Sequence, residues 1–299
     1  MTNIKKLIIG SDSFIAGKYI ESAVRNNEKL NLYGRRVKGF VGETIIDDFF
    51  KLSAKDFSGF DVLINFAAIV HHPKNVDDAL YQKVNTDLPL HLAAEAQKAG
   101  VKHFIQMSTI AVYGNTNTVS ENSPENPETI YGRTKLQADK ALLEMQSDDF
   151  KVSIIRPPMV YGGDNAPGNL MRLIRFSLKG IPMPFKGVDN KRDFIHVRNL
   201  TKALAAVISN NLYGVIIPTD KQPVSTEEII RLVKKHSKKT VRLMPVPQFA
   251  QRIAQKAVPG YYEKLYGSLR VQCNLPEDLY TPEYSPENGI SEMLSVLEK

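Results

Sequence analysis

Through the first two-thirds of the chain, short continuous apolar runs alternate with amphipathic stretches. KLIIG, DVLINFAA, KHFIQMS and KVSIIRPP set apolar residues side by side instead of on alternate positions. That is the pattern of strands covered on both faces. Between them, FIAGKYIESAVRNN, LPLHLAAEAQKAG and YGRTKLQADKALLEMQ repeat apolar residues at helical spacing, and the second stops at Gly100, a natural helix end. Strand–helix–strand units in series predict a parallel sheet with helices on both faces, an α/β doubly wound fold.

After residue 160 the texture changes. PPMVYGGDNAPGN reads as a loop leaving a strand end, and open parallel sheets bind ligands at the carboxyl ends of their strands. NLMRLIRFSLKG predicts a helix, FIHV a strand, Asn199 to Asn211 a helix, and GVIIPT one more core strand. From Gln222 onward, helical patterns broken by prolines predict a smaller lobe. The expected division is a core over 1–162, completed by about 190–220, and a lobe from about 163–189 and 221–299.

Composition narrows the partners. With 299 residues, 42% of them hydrophobic, the chain can bury a large core. The lone Cys273 forms no internal disulfide, and no Cys/His grouping has zinc spacing, so no metal site is expected. The apolar run near the amino terminus stops at Gly10, too early for a signal peptide, and no stretch is long enough to cross a bilayer. A cytoplasmic protein without membrane insertion is the expectation. The net charge of +7 has its densest cluster in RLVKKHSKKTVR. That cluster reads as a solvated helix face without interleaved aromatics, which argues against nucleic acid. A mildly basic surface also suits anionic nucleotides.

Candidate chemistry starts at KLIIGSDSFIAGKYI. Gly10, Ser13 and Ala16 stand where a dinucleotide loop carries glycines, with Gly17 one step late. Alone, the stretch fits a phosphate loop and an ordinary strand-to-helix turn equally well. MSTIAVYG should deliver Ser108 and Thr109 to the carboxyl edge of the sheet, and IYGRTK sets Tyr131 and Lys135 one helical turn apart on one face. An ammonium there, together with a positive nicotinamide, favours the phenolate and makes the tyrosine a usable acid/base. A Tyr and a Lys at that spacing also arise by chance; the strand-end hydroxyl and the loop give the pair its weight. In NLYGRR, no carboxylate ends the second strand, and Arg35 and Arg36 match the geometry of a phosphate. The other reading is a pair of solvated loop arginines.

With NFAAIVHH, VNTDLPLHLAAEAQKAGVKHFI, STIAVYG, YGRTK, IIRPPMVYG and RDFIHVRNL, the chain resembles the extended short-chain dehydrogenase/reductases, the NAD-dependent epimerase/dehydratase family. The resemblance implies a Rossmann-type doubly wound parallel sheet with a smaller C-terminal α/β substrate lobe. It implies that Gly10, Ser13, Phe14 and Ile15 form the dinucleotide loop, with Ala67, Ala68, Asn85 and Pro158 along the cofactor groove. NADP(H) is favoured over NAD(H) on the strength of Arg35 and Arg36. Thr109 matches the catalytic hydroxyl, Tyr131 the acid/base, and Lys135 the tyrosine's activator and ribose ligand. On the substrate side stand Asn169, Leu170, Arg192 and Arg270. His71 joins them as a substrate-facing residue or, with equal weight, as a helix-start histidine without a catalytic part.

Within the family, dehydratases carry an Asp-Glu pair after the catalytic Thr; here Ile110 and Ala111 stand there, which disfavours dehydration. Met159 replaces the usual Asn of the strand-end loop. The likeness is greatest to enzymes that reduce C4 of a UDP-linked 4-keto-6-deoxy-N-acetylhexosamine for surface polysaccharides. An NAD(P)H-dependent 4-reductase is therefore expected, with an NAD-dependent UDP-sugar 4-epimerase as the alternative. A non-catalytic dinucleotide sensor is a remoter one, because Tyr131 and Lys135 are both retained. Relatives pair through the helices holding Tyr131 and LPLHLAAEAQ, so a homodimer is expected.

Overall fold

Seven parallel strands make the central sheet of the computed structural model, which describes residues 4–70, 77–164, 166–246, 248–257 and 259–298. They are β1 (Lys6–Ile9), β2 (Leu30–Gly34), β3 (Glu43–Ile45), β4 (Val62–Asn65), β5 (His103–Met107), β6 (Lys151–Ile155) and β7 (Gly214–Ile216). Their spatial order is β7-β6-β5-β4-β1-β2-β3. All residues of β4 and β5 are buried, as are all but the first of β1 and β6, which is why their apolar residues run together. The expected strands are all present. One more, β3, escapes the apolar pattern: it is an edge strand reading ETI with no buried residue. Its register sets Glu43 beside Leu32 and Ile45 beside Gly34. The strand order reverses between β1 and β4, and the crevice at such a switch point is where these sheets take ligands.

The helices that matter here are α1 (Phe14–Arg25), α2 (Leu88–Lys98), α3 (Ile130–Glu144), α4 (Asn169–Ser177), α5 (Val197–Ser209), α6 (Thr226–His236) and α7 (Pro286–Leu297). On one face of the sheet α1 and α5 bury Ile20, Leu200 and Leu204 against Ile8, Ile64 and Ile105. On the other, Leu92 and Ala96 of α2 and Leu142 of α3 meet Leu7, Ile9 and Phe104. Each such isoleucine, leucine or phenylalanine side chain stabilises the fold by roughly 1.5–3 kcal/mol. Ser13, Thr129 and Ser225 cap α1, α3 and α6, each accepting a backbone N–H of the first turn. Helix α5 begins two residues before Asn199. His196 caps it by accepting the Arg198 N–H on its ring, and Asn199 is buried inside, donating to Asp220 at 2.7 Å.

Beyond the sheet, α4, α6 and α7 share a second core of Leu170, Ile174, Phe185, Ile230, Val233 and Met293. Short parallel pairs join Met183–Lys186 to Leu243–Pro245 and Thr118–Val119 to Arg270–Val271. The basic run from Arg231 begins on α6, with Val233 buried and Lys234 and Lys235 exposed, the solvated face expected of it. Among the described residues, no helix is long and apolar enough to cross a membrane and no cluster of His, Cys, Asp and Glu could hold a metal.

Candidate active site

Strand β5 ends at Met107, and the next two residues part ways. Ser108 turns inward, buried, its N–H donating to Ile155 O at 2.7 Å and its hydroxyl to Asp139 at 2.7 Å. Thr109 opens a single-turn 3-10 helix, Ile110–Tyr113, and caps it by accepting the Ala111 N–H at 3.1 Å. The first turn of α3 rests directly on that turn. A Cβ added at Gly132 would lie 2.7 Å from Ala111 O and 3.0 Å from Pro127 Cβ, so glycine alone permits the approach. Close packing here sets the Tyr131 phenol beside the Thr109 hydroxyl, which favours the phenol's ionised form.

Burial pushes the Tyr131 phenol up to about 12; the Thr109 hydrogen bond opposes this and the Asp139 carboxylate adds to it. One turn further on, Lys135 is fully buried and donates to Met107 O at 2.7 Å. Burial draws its ammonium down to about 8, against the pull of Asp139. Within the chain alone, burial and the Asp139 carboxylate favour the protonated phenol, the form an acid needs.

Behind the pair lies a network that sequence reading missed. Asp139 Oδ2 accepts from both Ser108 and Arg156, the latter at 2.9 Å. Arg156 also donates to Tyr113 Oη at 2.9 Å and pairs with Glu125 at 2.7 Å. Burial raises the Asp139 carboxyl, with Arg156 and Lys135 opposing. Its Oδ1 is buried without a hydrogen-bond partner among the described residues. The available signal was spacing: Tyr131, Lys135 and Asp139 recur every fourth residue down one stripe of α3.

At the switch point, Gly10 takes φ +78°, and a Cβ there would come within 2.7 Å of Ala67 N. The first glycine is therefore required by the approach of β4's exit. Ser13, in the second glycine's place, has an ordinary extended backbone, and Ala16 packs into the core. Neither position needs glycine. The Phe14 and Ile15 amides at the start of α1 have no protein acceptor among the described residues, and this first turn carries no acidic side chain. Amides and helix dipole so arranged suit a pyrophosphate, so the loop fits a dinucleotide.

Ala67 and Ala68 are half-buried beside it, and Pro158 is buried. Asn85 is fully buried; its amide accepts the Ile69 N–H at 2.8 Å and donates to Ile69 O at 2.9 Å, so it braces the segment after the alanines. Arg35 and Arg36 are exposed, and their side chains make no ion pair among the described residues.

On the substrate side, Asn169 is exposed at the start of α4, whereas the Leu170 side chain belongs to the second core. Arg192 donates to the carbonyls of Gly267 at 2.8 Å and Glu263 at 3.3 Å. Arg270 is half-exposed and meets Asp193 at 3.1 Å, which sets both arginines at one edge. His71 lies outside the described residues.

A doubly wound sheet with a dinucleotide loop at its switch point and a hydroxyl–phenol–lysine group at the end of β5 defines a nicotinamide-dependent enzyme class. Comparison makes it particular: a model of the NAD dependent epimerase/dehydratase family matches residues 22–216, and the chain belongs to that family. It is 29% identical to the UDP-glucose 4-epimerase of Vibrio cholerae over 91% of this chain and 84% of that one. It is 28% identical to the N-acetyl-alpha-D-glucosaminyl-diphospho-ditrans,octacis-undecaprenol 4-epimerase of Escherichia coli O157:H7, over 82% of this chain and 76% of that one. In fold it matches the NAD complex of UDP-glucuronic acid 4-epimerase from Bacillus cereus, with TM-score 0.76, 20% identity and 99% of each chain covered. These named relatives are 4-epimerases; the expected likeness to 4-reductases is not what comparison returns.

Proposed function

We propose that this protein is a UDP-sugar 4-epimerase, acting on a hexose or N-acetylhexosamine through a dinucleotide it keeps. The observation that carries this is the Thr109–Tyr131 hydroxyl pair at the end of β5, followed by Ile110 and Ala111. Two hydroxyls can hold and protonate the oxygen of an alcohol–ketone pair. An isoleucine and an alanine can neither protonate a leaving hydroxyl nor abstract a proton from carbon, so these two positions supply neither the acid nor the base that elimination of water needs. The choice of epimerisation over one-way reduction follows the relatives at 29% and 28% identity, both 4-epimerases by name.

The Gly10–Ile15 loop and Lys135 would hold the dinucleotide, which when bound takes hydride from C4 and returns it. The chain's part is the proton. Thr109 fixes the C4 oxygen beside Tyr131 Oη. As the phenolate, which the Lys135 ammonium and a positively charged nicotinamide would favour over the protonated form the chain alone prefers, Tyr131 would receive the proton of the C4 alcohol. The phenol so formed would return that proton once the keto sugar has turned over. Lys135, one turn away and buried, steadies charge on the phenol oxygen as it develops.

Purified protein incubated with UDP-glucose or UDP-N-acetylglucosamine, without added cofactor, should form the C4 epimer, followed by proton NMR. If those sugars stay unchanged while NADPH is consumed with the keto product of a UDP-N-acetylglucosamine 4,6-dehydratase, the one-way reductase is the correct reading.

A further inference from the structure

The end of β2, where a carboxylate would meet the adenosine ribose, carries Gly34, and the space its side chain would take is filled by side chains of other elements. A Cβ added to Gly34 would stand 2.4 Å from Ser11 Oγ and 3.4 Å from Glu43 Oε1. The carboxylate within reach comes from the neighbouring strand. Glu43 opens β3, and its Oε1 accepts the Ser11 hydroxyl at 3.1 Å. Its Oε2 accepts the backbone N–H groups of Lys38 at 2.9 Å and Gly39 at 3.2 Å. Three donors from two loops thus hold this side chain against the dinucleotide loop. Asp12, in that same loop, turns a second carboxylate to the Arg35 N–H at 3.5 Å.

We propose that Glu43 reads the adenosine ribose of the dinucleotide, standing in from β3 for the acid that β2 lacks, and makes the site one for a free 2′,3′-diol. An ionised carboxylate has about four acceptor positions. Three are taken within the protein, which leaves one for a ribose hydroxyl. A 2′-phosphate at the same point would bring its negative charge against Glu43 and Asp12. The exposed Arg35 and Arg36 side chains make no ion pair among the described residues and are the competing phosphate ligands that the test below separates from Glu43. The preference is therefore for NAD(H), opposite to the one the two arginines suggest in sequence. The assignment rests on the dinucleotide site alone and does not depend on which sugar is turned over.

The test is calorimetric titration of NAD+ and NADP+ into the full chain, stripped of any carried-over nucleotide, as wild type and as Glu43→Gln. Wild type should bind NAD+ tighter by roughly 10- to 100-fold, the range for a hydrogen bond to a charged group. Glu43→Gln keeps the side chain's length while removing the charge, and should bring the two affinities within about threefold of each other. A merely structural loss would weaken both nucleotides and leave their ratio unchanged, which would overturn the assignment. So would a wild-type preference for NADP+ that Arg35→Ala or Arg36→Ala abolishes. Epimerase assays play no part in this readout, so failure to turn over UDP-sugars leaves it unaffected.

Discussion

The proton-transfer corner stands at the carboxyl end of β5 and the ribose corner at those of β1 and β2, reached by Glu43 from the start of β3, yet they are put together in opposite ways. Thr109, Tyr131, Lys135 and Asp139 come from one strand end and one helix, with helical periodicity setting their spacing. Glu43, Ser11, Lys38 and Gly39 come from an edge strand and two loops, and only the pairing of β2 with β3 brings them together. A corner built on a helix announces itself in sequence; one built across strands does not. The two also differ in what breaks them: the first depends on burial and close approach, the second on charge.

Removing the phenol oxygen should have the largest effect. Tyr131→Phe loses the proton donor without altering the ring, and turnover of UDP-sugar should fall by about 10²–10⁴-fold. Circular dichroism and melting temperature should stay near those of wild type. Retention of most activity would remove Tyr131 from the reaction.

Next comes the network behind it. Asp139→Asn leaves Arg156, only 2% exposed, with the more exposed Glu125 as its one remaining carboxylate partner among the described residues, and Ser108 without a charged acceptor. Breaking one side of a buried pair costs about 3–5 kcal/mol. Urea unfolding should show that loss, whereas the same measurement on Glu43→Gln should show little. If Asp139→Asn unfolds like wild type, the network is not what fixes β5 to α3.

Much of the fold was legible because its strands are covered on both faces and its helices carry apolar stripes. The candidate proton-transfer corner was legible as a grouping because Tyr131 and Lys135 share a helix. What stayed hidden was non-local. Strand β3 has no apolar signature, so Glu43 could not be brought to the ribose corner, and Arg35 and Arg36 drew attention by being next in line. Asn85, expected on the cofactor side, also braces Ile69 through two hydrogen bonds, a non-local contact that its place in the sequence does not show. Ser13 and Ala16 replace glycines at positions where neither backbone nor packing requires glycine, which the sequence does not show.

A smaller effect, still confined to the helix-built corner, comes from one methyl group. Gly132→Ala would place its Cβ 2.7 Å from Ala111 O, a backbone atom that can yield only if α3 or the turn after Thr109 moves. Overpacking of this kind costs about 1–3 kcal/mol. The shift also separates Tyr131 from Thr109, so kcat should fall further than stability alone accounts for. Equal kcat in a variant with a lowered melting temperature would mean that the hydroxyl pair tolerates the displacement.

The smallest effect is a slope, and its sign separates the two corners most cleanly. Burial holds the Lys135 ammonium at about 8 in the folded chain, below its ordinary 10.5. Between those values the unfolded chain keeps a proton that the folded chain has released. Unfolding free energy therefore rises with pH across that window, and the contribution is absent below it. From about pH 8 to about pH 9 the gain is roughly 1 kcal/mol. Lys135→Met has no proton to release, so the difference between wild type and variant should grow in favour of wild type over that interval. Glu43→Gln should run parallel to wild type over the same interval, because its corner holds no buried ammonium. Parallel curves for Lys135→Met would mean that Lys135 keeps its proton inside the fold, and that the corner is wetter than its packing indicates.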